Sequence, residues 1–226
     1  MAFPIAVTEK RTKAEIDGWP KRIMRRSRIE HEERRSPLLG GQAMSTQTRL
    51  MTADEFLEMP DDGVLHELVR GEVVTMSLPG GRHGKIALKI GRLIGGYVEE
   101  QQLGDTYAAE TGFLIEHDPD TVRGADVAFV RAERLSDIIN LDKHIPFAPD
   151  LAVEVLSPND RAEPVEEKVQ EWLAAGSMAV WVADPATKTV TVHRPGTAAV
   201  TLTEIQEISA DDILPGFRCR VAEFFA

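Results

Sequence analysis

The chain is poor in the features that most simply classify a protein. It has one cysteine in 226 residues, so neither an intramolecular disulfide nor a cysteine-built zinc cluster can form. No apolar run approaches the ~20 residues of a membrane span. Residues 1–43 also lack the continuous apolar core of a secretory signal. The expectation is a soluble cytoplasmic protein. Positive charge is scarce: 26 Lys and Arg against 37 Asp and Glu give a formal net charge of −11. Such a surface does not attract nucleic acid over its whole area, although a local basic face and acid-bound cations can suffice. Internal repeats and low-complexity segments are absent. Ser157 lacks a Gly-x-Ser-x-Gly elbow and an identifiable histidine–acid pair. Gly80-Gly81 and Gly95-Gly96 lack the lysine and Ser/Thr of a phosphate loop.

What is present is a globular composition, 42% hydrophobic and 28% charged, enough for one core plus extensions. Residues 1–43 hold 10 Lys and Arg and 6 Asp and Glu, and read as a basic, disordered N-terminal extension. A nucleic-acid-binding arm is one reading. A solvated tail is the other, or an upstream extension with Met44 as the true start. Residues 44–226 read as one domain. Thr52 and Glu55 form a capping box for a helix over 53–59. Strands 64–69 and 72–77 flank a tight Arg70-Gly71 hairpin. Helical period covers 82–102, with Ile86, Ile90, Leu93 and Tyr97 on one side. Strands follow at 106–116, 126–130 and 151–156, the last two separated by a helical or irregular connection. A helix over 163–175 has Pro164 in its first turn and Gly176 past its end. A hairpin over 179–183 and 189–194 follows. Hairpins flanking a central crossover predict an α/β fold with a mixed sheet.

Two acids interrupt apolar strands: Asp126 in Ala125-Asp126-Val127-Ala128-Phe129-Val130, and Glu154 in Leu151-Ala152-Val153-Glu154-Val155. An ionised carboxylate is costly to bury unless a cation or strong donors meet it. Strand period places Asp126 with Ala128 and Val130, and Glu154 with Ala152 and Leu156. On neighbouring strands the pair can share a divalent cation, and hard oxygen ligands suit Mg²⁺ or Mn²⁺. The alternative is that both are strand-end residues accepting backbone hydrogen bonds. Glu67, in Leu65-His66-Glu67-Leu68-Val69, is a third acid of this kind, or else a surface partner for Arg70. Lys168 lies at the edge of the stripe Val165, Val169, Trp172 and Leu173. Its stem can carry the ammonium back towards Glu154, or it can pair in solvent with Glu167 or Glu171. His83, opening a helix after a glycine-rich loop, is a candidate for phosphate or water binding, or an exposed side chain. Arg82, Lys85, Lys89 and Arg92 recur at helical spacing. They are either a phosphate-tracking ridge for DNA or the solvated half of an amphipathic helix.

Several of these segments, taken in order, resemble the Uma-two family, restriction-type endonucleases of the PD-(D/E)XK superfamily. They are Glu67-Leu68-Val69-Arg70-Gly71-Glu72, the helix opening near His83, Ala125–Val130, and Pro149–Pro158. Glu167-Lys168, Val180–Pro185 and Leu214-Pro215-Gly216-Phe217 complete the set. The resemblance runs from about Thr52 to Phe225. It implies a restriction-endonuclease-like core, a mixed sheet flanked by helices with additional hairpins. It also implies a divalent metal, Mg²⁺ or Mn²⁺, held by Asp126 and Glu154, and hydrolysis of DNA by a metal-activated water. Glu67 matches the family's upstream acid and Lys168 its downstream lysine. Two departures stand out: Ala125 where a proline usually precedes the aspartate, and Leu156 where the wider superfamily has its lysine. The analogy further implies a homodimer, two sites for two strands. The reading from another class is a catalytically weak nuclease-fold protein that binds nucleic acid or regulates. Hydrolysis of another phosphoester is a third.

Overall fold

The structure, a computed structural model, describes residues 49–158 and 160–226; the expected basic extension over 1–43 lies outside them. Thr52 caps helix α1 (Ala53–Leu57), and both hydrogen bonds of the capping box are present. Strands β1 (His66–Val69) and β2 (Glu72–Thr75) pair around Arg70 and Gly71. Both turn residues are left-handed, with φ of 50° and 77°, the geometry that matches strand twist in a two-residue hairpin. Helix α2 (Gly81–Gln101) buries Ile86, Ile90, Ile94 and Val98. Leu93 and Tyr97, expected in the central stripe, lie at its margin.

The single strand expected over 106–116 is two strands in two sheets. They are β3 (Gly104–Ala108) and β4 (Phe113–Glu116). The chain turns between them, with Glu110 in the left-handed region at φ 76°. Strand β5 (Thr121–Arg123) leads into β6 (Val127–Arg131), a 3-10 helix covers Ala132–Asp137, and β7 is Leu151–Val155. Helix α3 (Ala162–Ala174) then crosses to β8 (Ala179–Asp184), which turns back into β9 (Thr189–His193). The tail, for which the sequence pattern predicts no strand, forms β10 (Val200–Thr203), β11 (Glu207–Ala210), β12 (Leu214–Arg220) and helix α4 (Ala222–Phe225). Its alternation is short and β10 is largely exposed, so little hydrophobic pattern marks it.

A six-stranded sheet runs β10-β9-β8-β7-β6-β3. Within it β7 and β8 are parallel and joined by α3, and the other neighbours are antiparallel. This is the mixed sheet that the hairpin–crossover–hairpin order predicts. Period 2 sorts its side chains into two cores. Val127, Phe129, Leu151, Val153, Val155 and Trp181 pack against α2, the β11–β12 hairpin and α4. Ala128, Val130, Ala152, Val180 and Val182 pack against Val169 and Trp172 of α3 and against Phe113. A second sheet, β2-β1-β5-β4, feeds the first through the Arg123–Val127 junction. Three residues, Gly124, Ala125 and Asp126, make the passage between the sheets, and the site is built on it.

Candidate active site

Asp126 sits just before the first paired residue of β6, not within the strand. Val127 pairs with Val153 and Ala128 with Ala152; one further step of that register sets Asp126 opposite Glu154. The two acids therefore lie at the same end of the sheet, Glu154 beneath α3 and Asp126 against His83 of α2. Asp126 Oδ2 accepts the Val155 N–H at 2.7 Å, which ties the junction to the end of β7.

Lys168 reaches this end of the sheet from α3. Its Nζ lies 3.2 Å from Glu154 Oε2 and 3.2 Å from Glu67 Oε1, and donates to the Gly124 carbonyl at 2.8 Å. The stem crosses the helix edge as a long amphipathic side chain can. One turn further along α3, the Trp172 indole N–H donates to Glu154 Oε1 at 2.9 Å. Residues 168 and 172 lie on one helical face, so α3 meets both oxygens of Glu154 from above.

Glu67, on β1, is buried, with its carboxylate fully engaged. Oε2 accepts from Arg123 Nη1 at 2.7 Å, and Oε1 accepts the Gly124 N–H at 3.1 Å. Arg123 turns its other edge to Glu171 Oε2, with Nε at 2.8 Å and Nη2 at 2.6 Å. Of the two readings of Glu67, surface pairing with Arg70 does not occur: Arg70 lies 3.6 Å from Glu167 and 3.8 Å from Glu171. Lys168 likewise turns inward, away from solvent pairing with Glu167 or Glu171. Arg123, Glu171 and Trp172 are the site residues that sequence reasoning did not assign. Arg123 carried a signal, a cation three residues before Asp126. Trp172 was legible only as part of an apolar stripe.

The charges perturb one another. Burial pushes the Glu154 carboxyl up to about 7, and the neighbouring Asp126 and Glu67 add to the rise against the pull of Lys168 and Trp172. For Lys168, burial opposes the ammonium, but Glu154 and Glu67 outweigh it and hold its pKa above the ordinary range. Glu67 is also opposed by burial, yet Lys168 and Arg123 together keep it below the usual carboxylate range. His83, near the start of α2, places Nε2 3.1 Å from Asp126 Oδ2. That hydrogen bond raises its pKa despite burial. Its Nδ1 is buried without a partner among the described residues.

Arg82, Lys85 and Arg92 are exposed and Lys89 is half-buried, on the side of α2 away from the Ile86–Val98 stripe. None of the four makes an ion pair with a described residue. Ten residues at 1.5 Å each give the ridge a length of about 15 Å, running from the His83 end of the helix outward.

The donor chemistry fits a hard divalent cation. Two carboxylates lie at one end of a strand pair, and Asp126 adds to the burial that raises the Glu154 pKa. Among the described residues, no three of His, Cys, Asp and Glu are grouped to enclose a metal by themselves. No helix among the described residues is long and apolar enough to cross a membrane.

A family model described as "Uma2: Putative restriction endonuclease" matches residues 53–222. The fold is similar to that of a protein from Anabaena variabilis ATCC 29413, described as "a putative nuclease belonging to DUF820". Identity is 22% and the TM-score 0.66, over 77% of this chain and 97% of that one. No curated protein matches the chain.

Proposed function

The chain belongs to the Uma2 family, and from that premise and the geometry at the β6–β7 end we propose that it is a divalent-metal-dependent DNA endonuclease. The observation that carries the reading is the convergence of Asp126 and Glu154 across one strand pair, with Lys168 at 3.2 Å from Glu154. Asp126 and Glu154 would hold Mg²⁺ or Mn²⁺. Such an ion, when bound, lowers the pKa of a coordinated water and neutralises charge on the phosphate. The protein's own groups do the rest. Asp126 is oriented by the Val155 N–H and by His83. Glu154 must lose its proton to act as a ligand. Lys168, with Gly124 and Glu67 as further partners, presents an ammonium where negative charge grows on the phosphate oxygens. Glu67 serves as the anchor for that ammonium. The α2 ridge of Arg82, Lys85, Lys89 and Arg92 is the surface best suited to track backbone phosphates away from the cut.

Residues 44–226 are the nuclease domain in this reading, and residues 1–43 a basic extension. A homodimer would set one site against each strand. The test is plasmid cleavage with Mg²⁺ or Mn²⁺ by the wild type and by Asp126→Ala, Glu154→Ala and Lys168→Ala. Loss of cleavage in all three is expected. Unchanged cleavage in Asp126→Ala and Glu154→Ala sinks the assignment. One observation favours a second reading, a nuclease-fold protein that binds nucleic acid without cutting it: both Glu154 oxygens already have protein donors. That reading requires intact DNA binding with no calorimetric Mg²⁺ or Mn²⁺ signal.

A further inference from the structure

Glu154 has two oxygens, and α3 treats them differently. Oε2 meets Lys168, a flexible ammonium that also has Glu67 and the Gly124 carbonyl to bind. Oε1 meets the indole N–H of Trp172 at 2.9 Å. Trp172 has no comparable freedom. It is fully buried, its ring meets Phe113 edge-on with centroids 5.9 Å apart, and it packs among Val169, Ala152 and Val180. An indole has one N–H and no acceptor, so its only polar bond goes to this carboxylate.

We propose that Trp172 is a positioning residue for the metal centre: its indole N–H pins Glu154 Oε1 and so leaves Oε2 as the ligand oxygen. The inference rests on the metal reading of Asp126 and Glu154 and adds which residue orients that ligand. A carboxylate near a strand end would otherwise rotate about its terminal torsion, which is broad and roughly two-fold. A fixed donor on one oxygen removes that freedom before a cation arrives. Partners of this kind orient metal ligands, and their loss typically weakens metal affinity 10–100-fold. Lys168 then has a distinct part. It bonds Oε2 as well as Glu67 and the Gly124 carbonyl, and can retain the latter two when Oε2 is given up.

The structure supplies its own control. Trp181 is also fully buried, yet its Nε1 has no hydrogen-bond partner among the described residues. It lies among Phe217 and Phe224 on the opposite face of the sheet. Trp172→Phe and Trp181→Phe each remove an indole from a core, but only the first touches Glu154. Mn²⁺ affinity is measured by calorimetry on both full-length variants and the wild type. The expected result is at least about tenfold weaker binding in Trp172→Phe and little change in Trp181→Phe. Equal affinity in Trp172→Phe and wild type overturns the proposal while leaving the metal reading intact. An equal loss in both variants also overturns it, because packing alone would then account for the effect. Absence of Mn²⁺ binding in the wild type overturns the metal reading and this inference with it. Should Trp172→Phe fail to fold, indole ¹⁵N–¹H spectra of the wild type decide, with Trp19→Phe and Trp181→Phe identifying the other two signals. The Trp172 signal shifts saturably with Mg²⁺ while that of Trp181 stays in place; a fixed Trp172 signal refutes the assignment.

Discussion

Glu154→Gln isolates the electrostatic cost of the site. In the unfolded chain this carboxyl titrates near its ordinary 4.5, and in the folded protein near about 7. Between those values the folded state holds a proton that the unfolded state has released. The group's contribution to stability is therefore complete below about pH 4.5 and is lost as pH rises through about 7. At about 1.4 kcal/mol per pH unit, the full difference is about 3 kcal/mol. Its side chain is only 13% exposed, so solvent screening removes little of this. Glutamine keeps the shape without the titration. Other ionisable groups are common to both proteins and largely cancel in the comparison. The assay is urea unfolding in EDTA from about pH 4.5 to 8.5, with two-state fits. The variant's stability should rise relative to wild type by about 3 kcal/mol across that range. The two differ at the acid end only by whatever the amide costs beside Lys168 and Trp172. Mg²⁺ at a hundred times its dissociation constant should then return about 2.7 kcal/mol to the wild type near pH 8 and nothing to the variant. Parallel pH–stability curves would refute the reasoning, since they would mean that Glu154 is ionised in the folded protein at no cost.

Arg123→Met should destabilise the fold by about 1–3 kcal/mol, because it removes the guanidinium from buried Glu67, leaving Lys168 and the Gly124 N–H, and from half-buried Glu171, leaving Arg70; denaturant midpoints measure this, and a change under about 0.5 kcal/mol would mean that water replaces the guanidinium. Lys85→Glu with Lys89→Glu should leave the thermal midpoint nearly unchanged and weaken DNA binding. Each lost phosphate contact should lower the salt slope by about one, and an unaltered slope in fluorescence anisotropy would remove α2 from the DNA track. Gly71→Ala should cost more than about 1 kcal/mol, since alanine resists the left-handed turn; calorimetric unfolding reads it, and a stabilised variant would contradict the type I′ geometry.

Part of the candidate site's layout was legible from pattern. Asp126 and Glu154 stood out as charges beside or within apolar strands, and the β6–β7 pairing sets them at the same end of the sheet. Lys168 stood at the edge of a helical stripe, close enough for its stem to turn inward. The departures have physical causes. Over 106–116 the apolar pattern continues across a break, and only the positive φ at Glu110 and pairing to different sheets reveal two strands. β10 to β12 hold short alternations, with Pro215 and Gly216 inside β12, so local propensity argues against them. Arg123 drew no role from the sequence pattern because its value lies in Glu67 and Glu171, which come from other parts of the chain. Trp172 looked like core, and it is core; its N–H acquires a role only when β7 lies beneath α3.

The amino-acid sequence by itself determined which positions are costly to bury and which face each occupies, because side-chain direction follows from local backbone period. Tertiary structure decided which cation or donor answers each carboxylate. That choice depends on distances of about three ångströms between residues far apart in the chain, and only the packing of α3 over β7 and of the β5–β6 junction against β1 sets them. Lys168 between Glu154 and Glu67, Arg123 between Glu67 and Glu171, and Trp172 on Glu154 are all decisions of that packing.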